Sequence, residues 1–215
     1  MTVDTQGTRP AARTLAPVVG ADDLRGYIDT LGGTLRQCVA TAADGARVDL
    51  VHGINWAIEH ARKIHDDGNK LMFIGNGGSA SIASHMATDY SKNGGLRAQS
   101  FNDSAMLTCL GNDLGYENVF AKQIELYARP RDLLIAISSS GRSANILNGV
   151  KAARAAGCLV MTLSGFSADN PLRQLGDLNF YLASDRYGFV EIGHLAICHA
   201  ILDFSCGWRS GDAKR

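Results

Sequence analysis

A chain of 215 residues can bury a full core as one domain, so neither disulfide staples nor a second domain is required. Its 21 Lys and Arg balance 21 Asp and Glu, which excludes a surface drawn as a whole to nucleic acid or anionic membrane and favours a small-molecule or protein partner. Cys38, Cys109, Cys158, Cys198 and Cys206 form no CxxC pair and read as reduced, mostly buried residues; with no apolar run at residues 1–19 or of bilayer length later, they point to a cytoplasmic protein outside any membrane.

Residues 1–20 are polar and without sustained period, which predicts a flexible arm. Over 21–43, Leu24, Ile28, Leu31 and Leu35 recur at helical spacing, and a second helix over 47–66 carries Leu50, Ile54, Trp56, Ala57 and Ile64. Two N-terminal helices are thus expected ahead of any strand. Residues 70–74 (KLMFI), 132–137 (DLLIAI) and 158–163 (CLVMTL) have the short, apolar form of buried parallel strands, and 97–101 and 178–182 read as further strands. Helical stretches at 80–92, 104–110, 119–128 and 143–156 alternate with them, an apolar helix covers 189–204, and 209–215 is a short tail. Such alternation predicts one α/β domain over 21–208, its parallel sheet covered by helices on both faces.

Two loops carry the chemistry. The first, Gly75-Asn76-Gly77-Gly78-Ser79, follows a strand and opens a helix, where glycines let the backbone approach a ligand and the helix amides attract an anion. Asn76 and Ser79 add side-chain hydrogen bonds. On spacing alone, residues 75–80 also satisfy the GxGxxA variant of the dinucleotide fingerprint, but no acidic residue stands at the end of the next strand. The second loop, Ser138-Ser139-Ser140-Gly141-Arg142-Ser143, repeats the strand-to-helix placement with four hydroxyls, a donor cluster suited to the oxygens of a phosphate monoester. A single serine there would read as an N-cap; the cluster is what argues for phosphate and against a nucleotide cofactor.

GNGGSA, NDSAMLTCLGND, ISSSGRSANILNGVKAARAAG and EIGHLAICH, in this order, resemble the phosphoheptose isomerase branch of the SIS (sugar isomerase) family, a likeness that runs over about 22–207. The resemblance implies a single SIS domain, a five-stranded parallel sheet in a three-layer αβα arrangement, and a homotetramer with sites at subunit interfaces. It implies isomerisation of sedoheptulose 7-phosphate to D-glycero-D-manno-heptose 7-phosphate, with Ser138, Ser139, Ser140 and Ser143 on the phosphate, Asn76, Gly77 and Ser79 on the sugar, and Asp103 as a substrate contact. It further implies zinc on His85, Asp89, Glu191 and His199, with Asp89 and His199 transferring the proton. A second branch of the family implies the alternative, a non-catalytic sugar-phosphate sensor or a partner of the replication initiator.

The spacing permits such a site. His85 and Asp89, four apart on a helix, face the same way, while Glu191 and His199, eight apart, lie about 80° round and about 12 Å along one helix. Aldose–ketose interconversion needs a base for the proton α to the carbonyl and a group that steadies the enediolate oxygen, and carboxylate with imidazole supplies both. This chain departs from the family pattern at Asp89 (usually Glu), Glu191 (usually Gln), Ile82 (commonly Asp) and in the stretch Asp185-Arg186-Tyr187-Gly188, which lacks the usual acid. The paired changes suggest that Glu191 takes over base or ligand duties from the shorter Asp89. A lone histidine on the apolar last helix, His194, reads as a hydrogen-bonded core residue.

Overall fold

The computed structural model describes residues 18–211, so the expected arm and tail lie, over 1–17 and 212–215, outside the described residues. The elements run α1 (Ala21–Arg36), β1 (Val39–Ala42), β2 (Arg47–Val48), α2 (Leu50–Asp66), β3 (Leu71–Gly75), α3 (Gly78–Lys92), β4 (Ala98–Ser100), α4 (Ser104–Leu114), α5 (Val119–Tyr127), β5 (Leu133–Ser138), α6 (Ala144–Ala155), β6 (Leu159–Ser164), β7 (Leu178–Tyr181) and α7 (Tyr187–Ser205).

The sheet has seven strands, not five, in the order β2-β1-β7-β6-β5-β3-β4. Five of them, β4, β3, β5, β6 and β7, pair in parallel, and a short hairpin, β1–β2, adds antiparallel to β7. The hairpin also corrects the expectation of two helices before any strand. Its turn is Asp44-Gly45: Gly45 takes φ 80°, and the Asp44 carboxylate accepts from Ala46 N at 2.9 Å. An Asp-Gly pair between short β-capable runs is a hairpin signal, and it overrides the helical period of α1, which stops at Arg36.

Alternate residues of the central strands serve two cores. Leu71, Phe73, Leu133, Ile135 and Ile137 cluster with side chains of α2, α3 and α7, whereas Met72, Ile74, Leu134 and Ala136 cluster with those of α5 and α6. Ile82, where the family commonly carries an acid, is 6% exposed and belongs to the first core. The apolar α7 is long enough to cross a bilayer by length and composition, yet Val190, His194, Ile197, Cys198, Ile201 and Leu202 are buried against the domain, as in a core helix. Both ligand loops leave the carboxyl ends of neighbouring strands, β3 and β5, where open α/β sheets bind ligands.

Candidate active site

The first loop turns directly out of β3. A Cβ on Gly75 would collide with the Ser79 backbone, so only glycine lets the strand end fold back onto α3. Gly77 is the N-cap of α3, which aims the amides of Gly78 and Ser79 outward at the positive end of the helix. In the second loop Gly141 takes φ 61° and sits so close to Asn170 that a Cβ would overlap its side-chain oxygen. Asn170 is itself buried and fixed by Ser164, Gly165 and Ser167, so the loop rests on a rigid support.

The serines divide by what they already hold. Ser138 Oγ accepts from Gly141 N at 3.2 Å and Ser140 Oγ from Arg142 N at 3.3 Å, so both shape the loop. Ser143 is the N-cap of α6 but makes no side-chain capping bond. Ser139 is 5% exposed, and its hydroxyl has no hydrogen-bond partner among the described residues. A buried hydroxyl without a partner is destabilising by about 1–3 kcal/mol, and a ligand oxygen would relieve that.

Asn76, expected on the sugar, lines the cavity between the loops and is also engaged within the protein. Its Nδ2 donates to Asn145 Oδ1 at 2.9 Å, Asn145 Nδ2 donates back at 2.8 Å, and Tyr116 OH donates to the same Asn76 oxygen at 3.1 Å. The two loops are thereby clasped around a cavity of about 250 Å³, whose lining includes Gly77, Ser79, Ser138, Ser139, Ser140 and Ser143. Asn145 escaped the sequence reading because its partner is 69 positions away. Tyr187 and Glu191, at the start of α7, complete the wall; Tyr187, packed edge-on to Phe166, stands in the very stretch that lacks the family's usual acid.

Glu191 reaches the first loop. A Cβ on Gly78 would lie 2.5 Å from each of its carboxylate oxygens, so the carboxylate rests on the first turn of α3, and Glu191 is the only acid lining the cavity among the described residues. The other metal candidates gather elsewhere: the ligand atoms of His85, Asp89 and His199 lie within 4.8 Å of one another, and Glu191 is not in that group. His85 Nε2 is 3.2 Å from His199 Nε2 and 3.6 Å from Asp89 Oδ2. Zinc bonds of about 2.0–2.2 Å in tetrahedral geometry set ligand atoms roughly 3.3–3.5 Å apart, so the trio fits a zinc ion with one coordination position left over. Asp103 is the N-cap of α4, accepting from Met106 N at 2.8 Å, and does not line the cavity.

A mixed, mostly parallel α/β sheet with two amide- and hydroxyl-rich loops around one polar cavity defines a binder of small phosphorylated ligands. The SIS domain family pattern matches residues 35–165, and the chain belongs to that family. It is 34% identical over 156 residues to the phosphoheptose isomerase of Akkermansia muciniphila, covering 68% of this chain and 82% of that protein. With the phosphoheptose isomerase of Solidesulfovibrio magneticus it shares 36% identity over 140 residues, 62% of this chain and 68% of the relative. The structure of the phosphoheptose isomerase from Neisseria gonorrhoeae superposes with a TM-score of 0.74 at 28% identity, covering 86% of this chain and 97% of that one.

Proposed function

We propose that this chain is an aldose–ketose isomerase that converts sedoheptulose 7-phosphate to D-glycero-D-manno-heptose 7-phosphate. The observation that carries the reading is the unpartnered, buried Ser139 hydroxyl inside a cavity formed by two helix-opening loops, beside a single carboxylate. Phosphate is held by Ser138, Ser139, Ser140 and Ser143 together with the amides that open α6, and Gly77 and Ser79 face the sugar. Glu191, against Gly78, is placed to take the proton from the carbon α to the carbonyl and return it to the neighbouring carbon. Asp89, on α3, and His199, about 12 Å beyond Glu191 along α7 at helical rise, are the second acid–base pair. His85, Asp89 and His199 would hold zinc, which when bound polarises a carbonyl oxygen and steadies negative charge gathering there. The finer setting, a cytoplasmic homotetramer built from one SIS domain over 21–208, belongs to the same proposal. The non-catalytic alternative has less support, because the curated relatives named above are isomerases.

The test is direct. Purified protein is incubated with sedoheptulose 7-phosphate, with and without added zinc, and the sugar is followed by NMR. Appearance of the aldose phosphate supports the reading. An unchanged ketose that nonetheless binds would turn it to the sensor alternative.

A further inference from the structure

The amino ends of β3 and β5, at the far end of the sheet from the ligand loops, enclose a second concave site of about 320 Å³. Lys70, Arg97, Gln99, Tyr127, Arg129 and Asp132 are among its walls. Asp132 is fully buried, and both of its oxygens are occupied. Oδ1 accepts from Asn69 Nδ2 at 2.9 Å and Lys70 N at 3.0 Å, and Oδ2 from Lys70 Nζ at 2.5 Å and Arg129 N at 2.8 Å.

Three cations therefore face one saturated carboxylate, in a chain whose formal charge is zero. The Arg97 guanidinium is anchored by Nη1 to His65 O at 2.8 Å and to His65 Nδ1 at 3.1 Å, leaving Nε and Nη2 as donors. Arg129 holds no side-chain bond among the described residues. The sugar-phosphate cavity, by contrast, has no cation in its lining among the described residues. A concave surface focuses field, and guanidinium forks match phosphate oxygens two at a time.

We propose that this pocket binds a small phosphate-class polyanion, either free diphosphate or the diphosphate of a nucleotide, independently of the sugar-phosphate site. The full chain is titrated calorimetrically at low salt with pyrophosphate and, separately, with a nucleoside diphosphate. Arg129→Ala should weaken binding about tenfold and Arg129→Glu should abolish it, while Ser139→Ala and Arg47→Ala leave it unchanged. Tighter binding of the nucleoside diphosphate assigns a nucleotide, and equal binding assigns the phosphate group alone; either upholds the site. Absence of binding at millimolar probe, binding that survives Arg129→Glu, loss with Ser139→Ala, or equal weakening by Arg47→Ala would each overturn it. Arg129 is exposed, and an unchanged amide NMR spectrum outside the pocket verifies that its variants remain folded.

Discussion

Asn76 and Asn145 face each other head to tail, each amide nitrogen on the other's oxygen at 2.9 and 2.8 Å, and so lock the loop after β3 to the helix after β5. Asn145 is 3% exposed and also accepts from Ile146 N, so its amide has no freedom to turn. Replacing it with Ala removes both bonds and leaves Asn76 short of a partner. Asn145→Ala should lower stability by about 1–3 kcal/mol and raise KM for the sugar phosphate, because the two halves of the cradle then drift apart. Asn145→Asp, which sets a carboxylate oxygen against Asn76 Oδ1, should be worse than Ala in urea unfolding and in KM. Equal, near-wild-type KM values for both variants would deny the clasp any part in binding.

Ser139 should separate binding from stability. Its hydroxyl is buried and unpaired in the protein alone, so Ser139→Ala should hold stability within about 1 kcal/mol of wild type or increase it. Affinity for the sugar phosphate should fall by about tenfold or more, the loss of one hydrogen bond to a charged oxygen. Opposite signs for stability and affinity are the diagnostic result. Thermal unfolding and ligand titration on the same sample measure both, and a variant that loses stability but not affinity would place the hydroxyl in the fold rather than the site.

Glu191 and His199 share α7 but not a destination: one carboxylate lies on Gly78 in the cavity, while the imidazole meets His85 and Asp89. Glu191→Gln should therefore cut turnover by about 100-fold or more and leave zinc content near that of wild type. His85→Ala should lower zinc content, with elemental analysis as the readout. If Glu191→Gln strips zinc as His85→Ala does, Glu191 is a ligand and not the base.

Much of this architecture was legible because buried parallel strands announce themselves as apolar runs: 71–75, 133–138 and 159–164 were each anticipated to within a residue or so. The β1–β2 hairpin is less legible, since the helical period of α1 extends through Val39 and Ala40 without contradiction and a single Asp44-Gly45 turn between such short strands is a weak signal against it. In the site, loop position and hydroxyl density pointed to the cavity's serines. The partners of side chains were harder. Asn76 lines the cavity as its loop position suggested, but nothing local reveals that Asn145 and Tyr116 also hold its amide. Spacing placed Glu191 and His199 on one helix, but 80° of rotation and two helix turns left open which neighbour each would meet.

The last prediction concerns His194, read from sequence as a core histidine and found fully buried, Nε2 donating to Ser164 O at 3.1 Å and Nδ1 without a partner among the described residues. Burial pushes its pKa down to about 4, against a smaller upward pull from the Ser164 carbonyl. The folded protein thus keeps this ring neutral where the unfolded chain, with an ordinary value of about 6.5, takes up a proton. Its contribution to stability is complete above about pH 6.5. Between there and about pH 4 the unfolded state binds more protons, and stability declines by up to about 1.4 kcal/mol per pH unit, roughly 3 kcal/mol across the window. His194→Leu removes the titration while Ser164 O retains its bond from Leu182 N at 3.0 Å. Urea unfolding of both proteins at pH 7.5, 6 and 4.5, values chosen to span roughly that window, should show the wild type losing stability faster as pH falls, so that the gap between them narrows or reverses. Parallel curves would mean that His194 is protonated in the folded core, with Nδ1 donating to a group that the geometry leaves out of reach.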